Sequence, residues 1–508
     1  MLARVFSATM VGLEPVKIEV EVDGNPGIPN LIFIGLANKT IDEARERITS
    51  ALVHCGIKIK SKRTVVNLAP ADLKKTGSAL ELSIAVGLLK MYDEIKNDTD
   101  DTMYFGELSL DGKLKAIKGA LPLVLAARQM GFKQVFVPKA NQKELQIISG
   151  IKIIVVSHLL ELIQHYQITK IPRLKTKKFE IQTPSPIEIG LDDISGQYQA
   201  KRALEICAAG GHNLLLVGPP GAGKSMLARA LVSILPPLTE KEAIEVTKIY
   251  SIVGLNPDGI IRERPIRAPH HTTSQVGLIG GGSLIQPGEI SLAHHGVLFL
   301  DEFPEFSRGS IEALREPLEN GQIEISRASG RAKLPAKFTL IAAANPCPCG
   351  YLYSKQKKCR CSLPSKQNYW KKLSGPILDR IDLHLYVKAV PTKQLNNQTN
   401  SNQQLTRERQ KRVAMAVGRQ NQRYCQEKNL SRNAELSSVA VKKYCQLTQP
   451  AWQLLSLATD RLHFSARSYF KVIKIAQTIA DLGADDQIDR QHLAEALQFR
   501  QFSFDQFD

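Results

Sequence analysis

The chain has 508 residues, more than one hydrophobic core usually serves, and this length predicts about three domains. Hydrophobic residues make up 43% and charged residues 23%, which excludes general disorder, and no apolar run reaches the ~18 residues of a membrane span. The formal net charge is +18, and residues 351–430 hold 17 Lys and Arg against 4 Asp and Glu. This window favours a polyanionic partner, the alternative being a basic surface without a specific ligand.

The first segment mixes strand and helix patterns. Apolar and charged residues alternate over VKIEVEV, residues 16–22, which predicts a half-buried strand. A second strand, LIFIG, and a helix, DEARERITSALVHCG, are predicted after it. Charged residues occur too early in MLARVFSATMVGLEPVKIEVEVD for a secretory signal, so we expect a cytoplasmic protein.

Two motifs of this segment resemble the protease domain of the Lon family: TGSALELSIAVGLL at 76–89 and YFGELSLDGKLKAIKGALPLVLAAR at 104–128. Those enzymes use a Ser–Lys dyad. Ser78 matches the nucleophile, but Leu121 stands where the lysine is expected, and a serine without its base is a weak nucleophile. The resemblance therefore implies a Lon-like α+β domain over residues 1–169 without proteolytic activity, and an ATP-dependent protease is the disfavoured alternative.

Two changes of composition divide the chain. The stretch KIPRLKTKKFEIQTPSPIEIG, residues 170–190, is rich in Pro and Lys and predicts an extended linker. The polar run QLNNQTNSNQQ predicts a mobile loop, and we place a second linker at 393–410. The expected order is the Lon-like domain, an ATPase core over 191–392 and an all-helical lid over 411–508.

A phosphate-binding loop is predicted at GPPGAGKS, residues 218–225, between an apolar run and an amphipathic helix. Its glycines let backbone N–H groups face the β-phosphate, Lys224 reaches the β- and γ-phosphates, and the Ser225 hydroxyl ligates Mg²⁺. The strand–loop–helix context therefore predicts an ATP site in an α/β core. The predicted nucleotide-binding residues are Gly218, Pro219, Pro220, Gly221, Ala222, Gly223, Lys224, Ser225 and Met226.

Two further strands end on polar residues. GVLFLDE, residues 296–302, places Asp301 in the Mg²⁺ shell and Glu302 where it orients and polarises the attacking water. FTLIAAAN, residues 338–345, ends on Asn345, whose amide can hold the lytic water or sense the γ-phosphate. Together with the phosphate-binding loop, these residues predict ATP hydrolysis.

Four of the eight cysteines lie close together in NPCPCGYLYSKQKKCRCSLP, within a predicted insertion at 345–362. In a reducing cytoplasm such a set favours a tetrahedral, structural Zn²⁺ over disulfides. Four protein ligands leave no open position for catalysis, whereas the lysines between them predict a basic contact with DNA. The predicted zinc ligands are Cys347, Cys349, Cys359 and Cys361, and the lysines are Lys355, Lys357 and Lys358.

Five motifs of the chain, DISGQYQAKRALEICAAGGHNLLLVGPPGAGKS, RAPHHTTSQVGLIGGG, LFLDEFPEF, LREPLENGQIEISRASG and SGPILDRID, resemble the magnesium-chelatase-related AAA+ proteins. The order of domains resembles the ComM (YifB) family over the whole length. The resemblance implies a homo-hexameric ring that translocates on DNA and promotes branch migration in natural transformation and recombination, together with recombination proteins. It also implies that Arg380 is the arginine finger for the neighbouring subunit and that Arg467 is the second sensor on the lid.

Between the acidic strand and Asn345, the segment ENGQIEISRASGRAKLPAKF predicts a β-hairpin. In the ring motors that the chain resembles, this hairpin points into the pore. There Arg327, Arg331 and Lys333 would track phosphates without reading bases. The glycine-rich insertion at 267–291 is a second candidate for pore contact, with a plain structural loop as its alternative.

The sequence therefore predicts an ATP-dependent helicase or translocase that uses ATP, Mg²⁺ and structural Zn²⁺ and acts on duplex, single-stranded or branched DNA, not on a membrane. One alternative is a magnesium-chelatase-like remodelling ATPase that does not act on DNA, and the basic window and the cysteines argue against it. A DNA-binding scaffold without enzymatic activity is the other. The intact Lys224, Asp301 and Glu302 argue against the scaffold.

Overall fold

The N-terminal part of the chain is built around a mixed β-sheet. The computed structural model describes residues 2–28, 30–35, 38–59, 62–70, 78–95, 100–180, 189–256, 259–282, 285–327, 330–353, 357–390, 404–427 and 430–500. The N-terminal elements are β1 (Leu2–Val11), β2 (Glu14–Asn25), β3 (Asn30–Ile34), α1 (Asn38–His54), β4 (Arg63–Ala69), α2 (Glu81–Met91), β5 (Thr102–Tyr104), β6 (Glu107–Leu108), β7 (Leu114–Lys115), α3 (Ala120–Gln129), β8 (Gln134–Pro138), α4 (Gln142–Leu145), β9 (Lys152–Val156) and α5 (Leu159–Gln167). The main sheet has the order β3-β4-β2-β1-β5-β8-β9.

The predicted strand at 16–22 lies in β2, which pairs with β1 in an antiparallel hairpin. Its alternation buries Ile18, Val20 and Val22 completely, as expected for a strand with one face on the core. Ser78 starts a short 3₁₀ turn before α2, and its side chain lies outside the described part of the chain. Leu121 is fully buried in α3, so the position that would carry a dyad lysine is filled by an apolar core residue.

A five-stranded parallel sheet organises the second part of the chain, and its order is β11-β14-β17-β10-β18. The elements of this part are α6 (Tyr198–Gly210), β10 (Leu214–Val217), α7 (Lys224–Ala230), α8 (Glu240–Val253), β11 (Ile266–Arg267), α9 (Gln275–Ile279), β12 (Gly280–Gly281), β13 (Gln286–Pro287), α10 (Glu289–Leu292), β14 (Val297–Leu300), α11 (Arg308–Glu312), α12 (Arg315–Asn320), β15 (Gln322–Arg327), β16 (Gly330–Pro335), β17 (Thr339–Ala344), α13 (Leu363–Lys371), α14 (Gly375–Leu378) and β18 (Leu383–Tyr386).

The central strand β10 shows why this sheet is covered on both faces. Leu214 and Leu216 join one apolar cluster, whereas Leu215 and Val217 join another. All four side chains are fully buried, and such continuous apolar runs are typical of parallel strands between two helical layers. The predicted α/β core is therefore confirmed.

The third part is helical, with α15 (Gln404–Arg423), α16 (Ser438–Tyr444), α17 (Gln449–Leu462), α18 (Ala466–Gly483) and α19 (Arg490–Gln498). The predicted linker at 393–410 extends too far, because α15 already begins at Gln404. Thr406 is buried there, and its N–H and its hydroxyl both donate to Asp192 Oδ2 at 2.8 Å. Residues 391–403, on which the predicted mobile loop falls, lie outside the described residues.

Helix α15 contains much of the basic window, and several of its arginines are engaged inside the molecule. Arg412 pairs with Glu205 at 2.7 Å, Arg419 pairs with Asp486 at 2.6 Å, and Arg423 pairs with Asp481 at 2.5 Å. Arg412 thus ties the lid to α6 of the core, whereas Arg419 and Arg423 tie α15 to other parts of the lid. Fewer of the window's positive charges are therefore available to a partner than its composition predicts. Among the described helices, none has both the length and the apolar character needed to cross a bilayer.

Candidate ATP-binding and hydrolysis site

The predicted phosphate-binding loop leaves the carboxyl end of β10 and leads into α7. Gly221 and Gly223 have φ angles of 74° and 85°, a backbone region that side chains with a Cβ rarely adopt. Gly218 has another reason to be glycine, since a Cβ there would lie 2.3 Å from the carbonyl oxygen of Val387. Met226 is exposed on the first turn of α7.

Lys224 is buried at the start of α7, and its ammonium group is held at three points. Its Nζ donates to Gly218 O at 2.7 Å, to Pro219 O at 3.0 Å and to Asn345 Oδ1 at 3.2 Å. Burial lowers the pKa of Lys224, and the nearby carboxylates Asp301 and Glu302 act in the opposite direction. The two predicted residues Lys224 and Asn345 are thus brought together, because β17 lies directly beside β10.

Asp301 follows β14 and faces the first turn of α7. Its Oδ2 accepts a hydrogen bond from the Ser225 hydroxyl at 2.7 Å, and its Oδ1 accepts from the Glu302 N–H at 2.9 Å. A hydroxyl and a carboxylate that converge in this way are oxygen ligands of the kind that Mg²⁺ prefers. The residues fit the predicted metal position beside the phosphate-binding loop.

Glu302 has a left-handed backbone with φ 50°, and its side chain remains half exposed. Its Oε2 lies 3.2 Å from Nδ1 of His271, in the glycine-rich insertion. The ring of the neighbouring His270 packs against that of His271, with the centroids 4.1 Å apart and the ring planes tilted by 33°. No feature of the sequence indicates this contact, because His271 lies 31 residues before Glu302 in an insertion whose glycines suggest only a mobile loop.

Gln197 is a second residue that sequence reasoning missed. Its side-chain amide donates to Ala222 O at 3.1 Å and to Lys388 O at 2.7 Å. It therefore ties the phosphate-binding loop to the segment after β18. The only signal in the sequence is its place in the motif DISGQYQAK, which carries no chemistry by itself.

Arg380 and Arg467 are not at the phosphate-binding loop of their own chain. Both guanidinium groups pair with Glu319 on α12, and the Arg380 Nη2 to Glu319 Oε1 distance is 2.7 Å. The hydrogen bond to Arg380 lowers the pKa of Glu319, and Arg467 acts in the same direction. We call these three residues the arginine cluster.

The arginine cluster lies at the amino ends of the parallel strands. Arg380 O accepts a hydrogen bond from the side chain of Asn213, which directly precedes β10, whereas the phosphate-binding loop follows β10. The four residues of β10 span about 13 Å. A cavity of about 960 Å³ opens beside the cluster, and Arg264, Lys337 and Lys474 also line it.

The four predicted zinc ligands come together in one loop. The Cys347 and Cys349 sulfurs lie 3.4 Å apart, each lies 3.6 Å from Cys359 Sγ, and all four sulfurs, with Cys361, lie within 4.8 Å of one another. A zinc–sulfur bond of about 2.3 Å implies sulfur separations of about 3.8 Å. Although burial opposes it, hydrogen bonds from the Tyr351 and Arg360 backbone lower the pKa of Cys349 to about 6. The donor set fits a tetrahedral Zn²⁺.

The cysteine loop also contacts the nucleotide site. Cys347 is two residues from Asn345, and a Cβ placed on Gly350 would lie 2.6 Å from Cδ of Pro220. Trp370 Nε1 donates to Pro346 O at 3.1 Å and fixes the loop from the other side. The cysteine loop therefore packs against the phosphate-binding loop.

A second group with metal-ligating side chains, Glu245, His294 and His295, lies away from this site. His294 Nδ1 accepts the Lys337 N–H at 3.0 Å, so its Nε2 carries the proton and faces Glu245 at 3.5 Å. His295 Nε2 approaches the same carboxylate oxygen at 2.7 Å. In this arrangement both histidines lie within hydrogen-bond distance of the Glu245 carboxylate.

The predicted DNA-contacting residues lie on two separate structures. The predicted hairpin is present as β15 and β16, paired in register from Gln322 with Pro335 to Arg327 with Gly330. Arg331 and Lys333 are exposed on β16, and Lys333 pairs with Glu324 at 2.8 Å. Lys357 and Lys358 are exposed beside the cysteines. The side chain of Arg327 and the whole of Lys355 lie outside the part of the chain that the structure describes.

Three family descriptions match successive parts of the chain. Residues 20–141 match "Subunit ChlI of Mg-chelatase", residues 190–395 match "Magnesium chelatase, subunit ChlI", and residues 403–500 match "Magnesium chelatase, subunit ChlI C-terminal". The three matches follow one another along the chain, the first within the N-terminal part, the second over the parallel-sheet part and the third over the helical part.

Similar proteins extend the comparison over the full length. The chain is 39% identical to the competence protein ComM of Haemophilus influenzae, over 98% of this chain and 97% of that protein. It is 38% identical to the protein YifB of Escherichia coli over the same shares. A DNA replication licensing factor of Dictyostelium discoideum is 23% identical over 59% of this chain and 32% of its own length.

Proposed function

The chain belongs to the ComM family of magnesium-chelatase-related AAA+ ATPases, and on that premise we propose that it is a ring-forming, ATP-driven motor on DNA. In this proposal the ring is a homo-hexamer that drives branch migration during natural transformation and homologous recombination. The observation that carries the proposal is the separation of the arginine cluster from the phosphate-binding loop of the same chain.

That separation favours a site shared between neighbouring copies. Transferring a phosphoryl group builds charge on the phosphate oxygens, and an arginine that reaches them stabilises this charge. Lys224 lies at one edge of the sheet, and Arg380 and Arg467 lie at the other edge. In the single copy, Glu319 compensates the charge of both arginines. A neighbouring copy that presents its phosphate-binding loop to the arginine cluster completes the site. Such a head-to-tail contact gives a ring when the rotation between successive copies closes.

Within each copy, the residues of the nucleotide side have distinct tasks. Lys224 and the N–H groups of the loop would bind the phosphates. Ser225 and Asp301 would hold Mg²⁺, which would neutralise phosphate charge. Glu302 accepts the proton of the attacking water, and Asn345 orients that water beside Lys224. His271 controls where the Glu302 carboxylate points.

The contact with DNA is assigned to the β15–β16 hairpin. Arg331 is exposed on β16, opposite Ser326, and the nearby Glu324 forms its ion pair with Lys333. Lys357 and Lys358 offer a second basic group beside the cysteine loop. Contacts of this kind bind the phosphate backbone without sequence preference, as a translocating motor requires.

The test is steady-state ATP hydrolysis with and without a synthetic four-way DNA junction, with strand exchange followed in the same tubes. We expect the junction to stimulate hydrolysis and to migrate, and both effects to be absent in Glu302→Gln. Hydrolysis that DNA neither stimulates nor couples to junction movement would contradict the proposal.

The second candidate is a remodelling ATPase of the magnesium-chelatase type that does not act on DNA. The observation in its favour is that all three matched family descriptions name a chelatase subunit. The same assay separates the two functions, because a chelatase-like motor would hydrolyse ATP at a rate that DNA leaves unchanged.

A further inference from the structure

We propose that the N-terminal domain is the seat of the β15–β16 hairpin and transmits the movement of this hairpin to the rest of the chain. The proposal rests on the proposed function, because the hairpin is the element that contacts DNA there. We use the word seat for the contact itself, in which the turn between β1 and β2, residues 12–13, packs against Ala332 on β16.

The turn is built for close approach. Val11 pairs with Glu14, so that two residues connect β1 and β2, and Gly12 at the first of them has φ 63°. A Cβ placed on Gly12 would lie 2.7 Å from Cβ of Ala332, which is itself buried. Glycine is therefore favoured at position 12 for two reasons. Its φ is positive, and the absence of a Cβ leaves room for the Ala332 side chain.

Contacts on both sides of Gly12 extend the seat. Leu13 packs on the apolar cluster that contains Ile325 and Leu334 of the hairpin. Glu14 lies near Lys333, whose pKa is raised first by its hydrogen bond to Glu324 and also by the charge of Glu14. Apolar packing and charge thus accompany the steric fit, and together they hold the exposed hairpin against the N-terminal domain.

A second contact fixes the N-terminal domain to α8 of the ATPase core. The Gly119 N–H donates to Ser251 O at 2.9 Å, and Asn256 Nδ2 donates to Glu144 Oε2 at 3.3 Å. Ile244 of α8 packs on the apolar core of the N-terminal domain. Because the domain is held at α8, a hairpin that moves relative to the core must either break the seat or move the N-terminal domain with it.

The seat gives the N-terminal domain a task that needs no catalytic dyad. It keeps the unliganded hairpin ordered, and it passes hairpin displacement by DNA to α8. Loosening the seat should leave basal hydrolysis intact, since none of the seat residues touches the phosphate-binding loop, but should reduce the stimulation of hydrolysis by DNA.

The experiment uses the full-length Gly12→Ala variant, whose new Cβ overlaps Ala332. Gly131→Ala is the matched control, because Gly131 has a similar φ of 87° but no neighbour within 4 Å. The double variant Gly12→Ala/Ala332→Gly restores the space, and Leu13→Ala weakens the seat without backbone strain. Amide hydrogen exchange of residues 322–335 without DNA and the ratio of DNA-stimulated to basal hydrolysis are measured on each.

We expect about tenfold faster exchange of the hairpin in Gly12→Ala and Leu13→Ala, recovery in the double variant and no change in Gly131→Ala. The stimulation ratio should fall in the same two variants. Hairpin exchange that is equal in all variants overturns the seat. Faster exchange with an unchanged ratio overturns its role in transmission. If DNA fails to stimulate even the wild type, the DNA function fails, whereas the exchange data still decide whether the seat exists.

Discussion

The carboxyl edge and the amino edge of the ATPase sheet differ in how their charges are compensated. At the carboxyl edge, Lys224 is held by loop carbonyls and Asn345, and Asp301 by Ser225. At the amino edge, the two guanidinium groups of the arginine cluster share the single carboxylate of Glu319. The carboxyl edge can bind a nucleotide. The amino edge carries surplus positive charge, which the phosphates of a bound nucleotide would neutralise.

In the proposed ring, each chain presents two unlike halves of one catalytic site. A neighbouring copy brings the halves together, so their separate loss should have different consequences.

Removing Arg380, the proposed arginine finger, is expected to have the largest effect. Arg380→Ala should lower the turnover of ATP by ~10³-fold or more, because the transition-state charge loses its partner. Lys224→Ala should abolish nucleotide binding in its own copy but leaves the arginine cluster intact. We expect an equimolar mixture of the two variants to recover part of the activity in a steady-state hydrolysis assay, since some interfaces then combine two intact halves.

The control mixes Lys224→Ala with Glu302→Gln, which damage the same half of the site. No interface in that mixture is complete, so no recovery is expected. If the mixture of Arg380→Ala with Lys224→Ala stays as inactive as its components, the arginine does not act on the nucleotide of a neighbouring copy. The two edges would then not be halves of one shared site.

Glu302→Gln should separate binding from chemistry at the carboxyl edge. An amide cannot accept the proton of the attacking water, and losing such a general base costs ~10²–10⁴-fold in rate. Lys224, Ser225 and Asp301 remain in place, so ATP should stay bound. Equilibrium binding of labelled ATP and a single-turnover hydrolysis assay measure the two effects, and loss of binding would contradict the assigned role.

The carboxyl edge was predictable from the sequence to a much greater extent than the amino edge. Gly218, Lys224 and Ser225 lie in one contiguous motif whose spacing alone specifies the chemistry, and Asp301 and Asn345 end buried strands. Parallel strands bring their carboxyl ends to one edge of the sheet, so a linear pattern is sufficient to predict that these residues meet.

Residues that act through partners distant in sequence were not predictable in this way. Glu319 gives no local signal, since its role arises from Arg380 and Arg467, which lie 61 and 148 residues further along the chain. The basic window shows the same limit. Its net charge was evident, but the pairing of Arg412 with Glu205 depends on how α15 packs on α6.

Removing the predicted zinc from the cysteine loop should weaken nucleotide binding at the carboxyl edge. Cys359→Ser should lose bound zinc and bind ATP about tenfold more weakly, equivalent to ~1.4 kcal/mol, because the loop supports Asn345 and Pro220. Elemental analysis and ATP titration measure both. Cys425→Ser is the control, since Cys425 is exposed and far from the loop in sequence. Unchanged ATP affinity in a zinc-free Cys359→Ser variant would separate the loop from the nucleotide site.

Arg331→Ala should weaken the binding of DNA while leaving both edges of the sheet unaffected. We expect a uniform loss of affinity across DNA sequences and a salt dependence whose slope falls by about 1, as for one lost phosphate contact. Basal hydrolysis should not change. Arg461→Ala removes the same charge from an exposed position on α17 and serves as the control. A loss of basal hydrolysis in Arg331→Ala would contradict the assignment of the hairpin to DNA.

The smallest effect is expected at His271, which contacts the carboxyl edge from the glycine-rich insertion. Its ring holds the Glu302 carboxylate at 3.2 Å, so His271→Ala should free that carboxylate for water and raise basal hydrolysis. The increase should not exceed about fivefold, because an exposed pair of this kind is worth only ~0–1 kcal/mol. His270→Ala is the matched control, since His270 bonds to Thr272 rather than to Glu302. Slower hydrolysis in His271→Ala, measured under saturating ATP, would mean that the histidine aims Glu302 at the water instead of restraining it.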